Sequence, residues 1–318
     1  MRIMTLLPII LATAPFILFF ILLLLKKTPL IWVSLITLIL VLIIATFYWQ
    51  VYPAYIFGSI AKGFFVALDI FFIIFGAIFF LEIMRGTKII ENIGYHLESI
   101  SKDLRVQVIF LAWFFENLLE GTAGFGTPSI VVAPLLVGLG ISPINAVIIA
   151  ILGNSASGVF GAAGTPIKVG FGALAGASVP LTAALVNLIG ILVPVFMLWF
   201  LTKNKRSLAS QSPGKENGKK EFMEALPFAI WAGVAFAVPS ILTVFIGQEF
   251  PSILGAVIGL ALVLITTKLG ILIPKKEKEP VDTPCPATLS LGKVIFPYFL
   301  LIVILIVGKF ILGTTGIS

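Results

Sequence analysis

Charge is scarce in this sequence. Only 11% of the 318 residues are Asp, Glu, Lys or Arg, against 59% hydrophobic, and the mean hydropathy is +1.17. Soluble domains carry about 25% charged and about 45–50% apolar residues, and no single soluble core hides this much apolar surface. A soluble enzyme, a nucleic-acid binder and a disordered tail are excluded together. A single cysteine, Cys285, permits no intrachain disulfide and no cysteine metal cluster. A single histidine, His96, argues against a histidine metal site or a Ser–His relay. No phosphate loop, paired-cysteine motif or nucleophile elbow occurs, so neither a nucleotide-driven pump nor an enzyme is supported, and no cofactor or metal is expected. What remains is an all-α polytopic membrane protein.

A bilayer core of about 30 Å takes about 20 apolar residues in a helix. Leu6–Leu25 satisfies this between Arg2 and the pair Lys26–Lys27, and its length and flanks argue against a cleaved signal peptide. Further spans read as Leu30–Tyr48, Gly63–Met84, Val179–Leu201, Ala225–Phe245, Leu254–Leu272 and Val294–Leu312, which makes about seven full spans. Charged loops separate them at 85–105, 202–222 and 274–293, the second being a Ser-, Gly- and Lys-rich linker.

Residues 106–176 do not fit this scheme. Val106–Leu119 is helical in composition, but its 14 residues reach only about 21 Å. Gly121-Thr122-Ala123-Gly124-Phe125-Gly126-Thr127-Pro128 then follows, which no continuous helix would choose. Ser129–Gly140 is again short, and Ile144–Gly153 dissolves into Asn154-Ser155-Ala156-Ser157 and onward to Gly164-Thr165-Pro166. Residues 121–176 hold 12 of the 29 glycines. Unwound backbone at membrane depth is tolerated only where it is buried in protein or lines a cavity, so this region is the expected site.

Loop charge bears on topology. If 106–140 enters the membrane and returns, 17 of the 21 Lys and Arg residues lie at or beside cytoplasmic ends, as the positive-inside rule prefers. The same count follows if 144–176 is the hairpin instead. The expected organisation is N-terminal spans over 1–105, a re-entrant hairpin and a broken helix over 106–176, a span over 177–201, a basic cytoplasmic linker over 202–224, and C-terminal spans over 225–318.

Both breaks end in Gly-Thr-Pro. Threonine is a good N-cap and proline suits the first helical turn, so each break is expected to restart a helix whose free N–H groups attract an anion. Paired discontinuous helices are a recurrent substrate site of secondary transporters. Gly121, Thr122, Gly124, Gly126, Thr127, Asn154, Ser155, Gly164 and Thr165 are the candidate binding residues, although their polar groups would also satisfy freed backbone. Ionisable residues inside the membrane are functional candidates. Glu120 sits at the first break, either binding a proton or bracing the hairpin tip, with Glu116 one turn earlier on the same helix face. Two carboxylates so close disfavour double ionisation, so one of the pair is expected to hold a proton near neutral pH, and both are candidate proton-coupling residues. Lys168 either attracts a carboxylate, pairs with Glu116 or Glu120, or snorkels toward an interface. Asp69 reads as a structural or interfacial charge.

The run Leu119–Pro128, continued by Pro134-Leu135-Leu136-Val137-Gly138-Leu139-Gly140, resembles the signature of the L-lactate permease family. The run from Asn154 through Phe160-Gly161-Ala162-Ala163-Gly164-Thr165-Pro166-Ile167 is similar to that family's next motif in order and spacing. The resemblance implies proton-coupled transport of L-lactate, D-lactate or glycolate across the cell membrane, in a fold of two inverted repeats each holding a hairpin and a broken helix. Glu116 and Lys168 depart from the family pattern, which bears on the substrate; an alternative is a carrier for another small organic anion. The resemblance covers one repeat and the start of another. A fragment, part of a split transporter, a homodimer, or a membrane protein without transport activity of its own are the expectations that follow.

Overall fold

The computed structural model describes residues 3–25, 27–171, 178–203, 215–274 and 288–315. Much of the basic linker, part of the third charged loop with Lys275, Lys276, Lys278 and Cys285, and the end of the 106–176 region lie outside the described residues. Every described element is a helix. Seven are long and apolar enough to cross a membrane, and one further pair is bent by 61° at a break.

The chain divides into two compact units, Met1–Asp69 and Ile70–Ser318. In the first, α1 (Ile3–Leu24) and α2 (Leu30–Phe47) pack together and bury Val33 and Ile44 between otherwise exposed apolar faces, the composition of a lipid-facing hairpin. α3 (Pro53–Gly86) begins ten residues before the expected Gly63 because Lys62 interrupts the apolar run without interrupting the helix.

The second unit is built around α5 (Leu104–Ile109), a π-helical turn over Phe110–Phe115, and α6 (Glu116–Thr122). These form one unbroken helix of about 28 Å at 1.5 Å per residue, longer than expected at both ends. Asp103 caps its start by accepting the Arg105 N–H at 2.8 Å. All six residues of the π turn are buried. α4 (Ile89–Glu98), α7 (Thr127–Gly138), α8 (Pro143–Asn154), α11 (Val193–Lys203), α12 (Lys215–Thr243) and α13 (Pro251–Lys268) surround this helix. The Trp113 indole N–H donates to the Ala232 carbonyl at 3.1 Å. Because lipid is as apolar as leucine, such cohesion rests on close packing and hydrogen bonds rather than on burial itself. Gly233 and Gly259 supply the close packing, since a Cβ on either would strike backbone of the facing helix.

α9 (Gly161–Phe171) carries a left-handed kink over Ala162–Gly164 and runs on as helix from Thr165. α10 (Ser178–Val186) leads through a 3₁₀ turn, Asn187–Leu192, into α11, and α14 (Leu291–Thr315) closes the described chain.

The three charged loops meet at one end of this unit. Arg105 pairs with Asp103 (Nη2–Oδ2 2.5 Å) and with Glu224 (3.5 Å), and donates to the Glu221 carbonyl at 2.8 Å. Asn92 accepts the backbone N–H groups of Thr288 and Leu289 at 2.8 and 2.9 Å. The close of α7 also lies against α4: a Cβ on Gly94 in α4 would touch Leu135 at 3.4 Å.

Candidate functional site

The two breaks share one construction. In the first, Gly124, Phe125 and Gly126 have φ of 65°, 58° and 72°; in the second, Ala162, Ala163 and Gly164 have φ of 43°, 52° and 76°. Each thus runs three left-handed residues, ends on glycine and enters Thr-Pro. Left-handed backbone is unfavourable for residues with a Cβ, so Phe125, Ala162 and Ala163 are held there by their surroundings. The threonines do not cap the following helices as expected. Thr127 Oγ1 donates back to the Gly124 carbonyl at 2.9 Å, and Thr165 Oγ1 to the Ala162 carbonyl at 2.6 Å. Each hydroxyl therefore locks its own left-handed turn.

The breaks pack against each other. A Cβ on Gly124 would lie 2.6 Å from the Ala162 nitrogen, and one on Gly121 would lie 2.7 Å from the Ile253 side chain at the start of α13. Gly164 closes on the Gln248 carbonyl. These contacts, not turn chemistry alone, demand glycine.

Glu120 occupies the junction, 3% exposed. Its Oε2 accepts the Gly126 N–H at 3.3 Å, at the N-terminus of α7, and the Asn154 side chain approaches the carboxylate from the C-terminal end of α8. Its Oε1 faces Gly161, where a Cβ would stand 2.5 Å away. One carboxylate thus touches both breaks and answers the positive end of α7.

Glu116, wholly buried, accepts the Ser129 hydroxyl on Oε1 at 2.7 Å, while its Oε2 has no partner. Among the described residues neither glutamate forms an ion pair.

The remaining candidates separate. Gly121, Gly124, Gly164, Thr165 and Asn154 gather around Glu120 or the meeting of the breaks, and Thr127 sits with them. Thr122 spends its hydroxyl on the Leu118 and Leu119 carbonyls (3.1 and 3.0 Å), and Ser155 on Leu152 (2.6 Å), each within its own helix. Lys168 is exposed and pairs with neither glutamate.

Several further residues hold the second break. The Ser157 hydroxyl donates to Asn117 Oδ1, Asn187 Nδ2 donates to the Ala156 carbonyl, and Ser252 Oγ donates to the Ser157 carbonyl at 3.2 Å. Asn117 and Asn187 were open to detection as lone amides within apolar runs, since polar side chains inside a membrane find partners. Ser252 carried no such signal. An apolar cavity of about 360 Å³ between α12 and α13 is lined by Trp231, Val238, Leu242, Ile258 and Leu262. Its one hydroxyl, Thr243, is spent on the Pro239 and Ser240 carbonyls, so it offers a carboxylate nothing.

The L-lactate permease family profile matches residues 8–312. The chain is 30% identical to a glycolate permease of Escherichia coli (strain K12), over 85% of this chain and 50% of that protein. It is 30% identical to a putative L-lactate permease of Haemophilus influenzae over 74% of this chain and 43% of that protein. An L-lactate permease of Escherichia coli (strain K12) is 29% identical over 70% of this chain and 39% of that protein. The chain thus spans half or less of the length of these relatives. No solved structure matches significantly.

Proposed function

The chain belongs to the L-lactate permease family, and on that premise we propose that it is a secondary carrier, or the working part of one, for short 2-hydroxy monocarboxylates moved with protons. L-lactate, D-lactate and glycolate are the substrates assigned. The observation that carries this is Glu120, a buried carboxylate without a counter-cation among the described residues, placed between two broken helices and bonded to a helix N-terminus.

In this mechanism the ionised Glu120 holds the Gly126 N–H. Protonation removes its charge and releases that donor, and the substrate carboxylate takes its place between the helix starts at Pro128 and Pro166. Asn154 and Thr165 lie beside that position to meet the substrate hydroxyl. Loss of the proton on the other side lets Glu120 reclaim the N–H and expel the anion. Proton and substrate are thereby coupled through one backbone donor. The basic loops are assigned to the cytoplasmic side, consistent with their convergence at one end and with the positive-inside rule. The opposing wall of the site is assigned to chain outside these residues or to a second copy.

The exposure of Lys168 favours a second reading, a carrier for an anion with an additional charge. Uptake of labelled L-lactate into proteoliposomes, competed by D-lactate, glycolate and dicarboxylates, tests both. Competition by the monocarboxylates alone is expected. Preferential competition by dicarboxylates, lost in Lys168→Met, moves the assignment to the second reading. Absence of both uptake and binding reduces the chain to a non-transporting membrane protein.

A further inference from the structure

Glu116 is the buried ionisable group that this mechanism leaves unused. It lies on the same helix face as Glu120 and is wholly buried, with Ser129 of α7 and Gly153 of α8 against its carboxylate. Neither α7 nor α8 contains a titratable residue. On its own helix Arg105 is three turns away and engaged with Asp103 and Glu224, and Lys168 of α9 is exposed. Among the described residues, Glu120 is the one charge that acts on it.

The hydrogen bonding is asymmetric. Oε1 receives the Ser129 hydroxyl at 2.7 Å. Oε2 receives nothing and is packed against Gly153, where a Cβ would lie 3.0 Å from it. The Ala112 carbonyl, in the π-helical turn, converges on the same point of Gly153. A carboxylate oxygen enclosed beside a carbonyl oxygen, with no donor and no cation, is badly placed as an anion. The same geometry suits an acid, whose carbonyl oxygen accepts from Ser129 while its hydroxyl donates to Ala112.

We infer that Glu116 is held as the neutral acid, a fixed hydrogen-bond element that joins α7 to the π-helical turn and leaves Glu120 as the one member of the pair that changes charge. The site then presents a single exchangeable proton and never a double negative charge to an incoming anion. Only this consequence rests on the carrier reading; the charge state of Glu116 stands apart from it.

Infrared spectra of the purified full chain in lipid, recorded from neutral to mildly alkaline pH, test it. A protonated-carboxyl band is expected that does not change with pH, disappears in Glu116→Gln and persists in Glu120→Gln. Glu116→Gln, which keeps shape and neutrality, is expected to retain its fold and any uptake the parent protein shows. ¹³C NMR of the unmutated protein carrying labelled glutamate gives a count that needs no variant, with one side chain at the carboxylic-acid shift throughout. A spectrum with every glutamate ionised, or an acid band that titrates away in Glu120→Gln, overturns the inference. Failure of transport with the acid band present would count against the carrier reading alone.

Discussion

Gly161→Ala probes Glu120 without altering a charge or straining the backbone. Gly161 has φ −64° and ψ 158°, which alanine adopts freely. The added methyl would stand 2.5 Å from Glu120 Oε1, whereas real Cβ contacts below 3.0 Å essentially do not occur. The carboxylate must therefore retreat by at least about 0.5 Å. Its bond from Gly126 N–H, at 3.3 Å, already exceeds the usual 2.7–3.2 Å range and cannot absorb that shift. Losing a hydrogen bond to a charged group costs about 1.5–3 kcal/mol, roughly a 10- to 100-fold change in the equilibrium that returns Glu120 to α7. Coupled uptake in proteoliposomes is expected to fall by about that factor. Gly158→Ala, three residues earlier with open space around it, is expected to transport as the parent does. Unchanged uptake in Gly161→Ala, or an equal loss in Gly158→Ala, would refute the placement of Glu120 as the coupling group.

Other outcomes follow from the same contacts. Phe125→Gly relieves a left-handed residue and is expected to raise stability by about 1–2 kcal/mol, read as a higher Tm in detergent. Asn117→Ala strands the Ser157 hydroxyl and is expected to cost about 1–3 kcal/mol, with denaturant titration as the check. Arg105→Ala leaves Asp103 buried without its partner, and a loss of about 3–5 kcal/mol is expected in the same titration. Thr127→Val and Thr165→Val each remove the bond that locks one break; each is expected to cost about 1 kcal/mol, and the double variant should lose more uptake than either alone.

The spans were legible because a run of about 20 apolar residues has few alternatives. Lys62 misled only the start of α3, since one exposed charge interrupts hydropathy without interrupting a helix. The breaks were legible as well, through glycine density and the doubled Gly-Thr-Pro. Their conformation was not. Phe125, Ala162 and Ala163 adopt backbone that their own side chains resist, so tertiary contacts impose it. For the same reason Thr127 and Thr165, good N-caps by type, turn instead to the carbonyls that those contacts expose. Glu120 was recognisable as a membrane-embedded carboxylate, and Glu116 as its neighbour one turn away. That the two differ in hydrogen bonding depends on Ser129, Asn154 and Gly126 reaching them across the fold, which no local pattern encodes.

Glu120→Gln tests the central claim most directly, assayed as L-lactate uptake driven by a pH gradient beside lactate–lactate exchange without one. The substituted amide mimics the protonated acid and has no proton to release, so pH-driven uptake is expected to be lost while exchange persists. Undiminished pH-driven uptake in the variant would contradict the account.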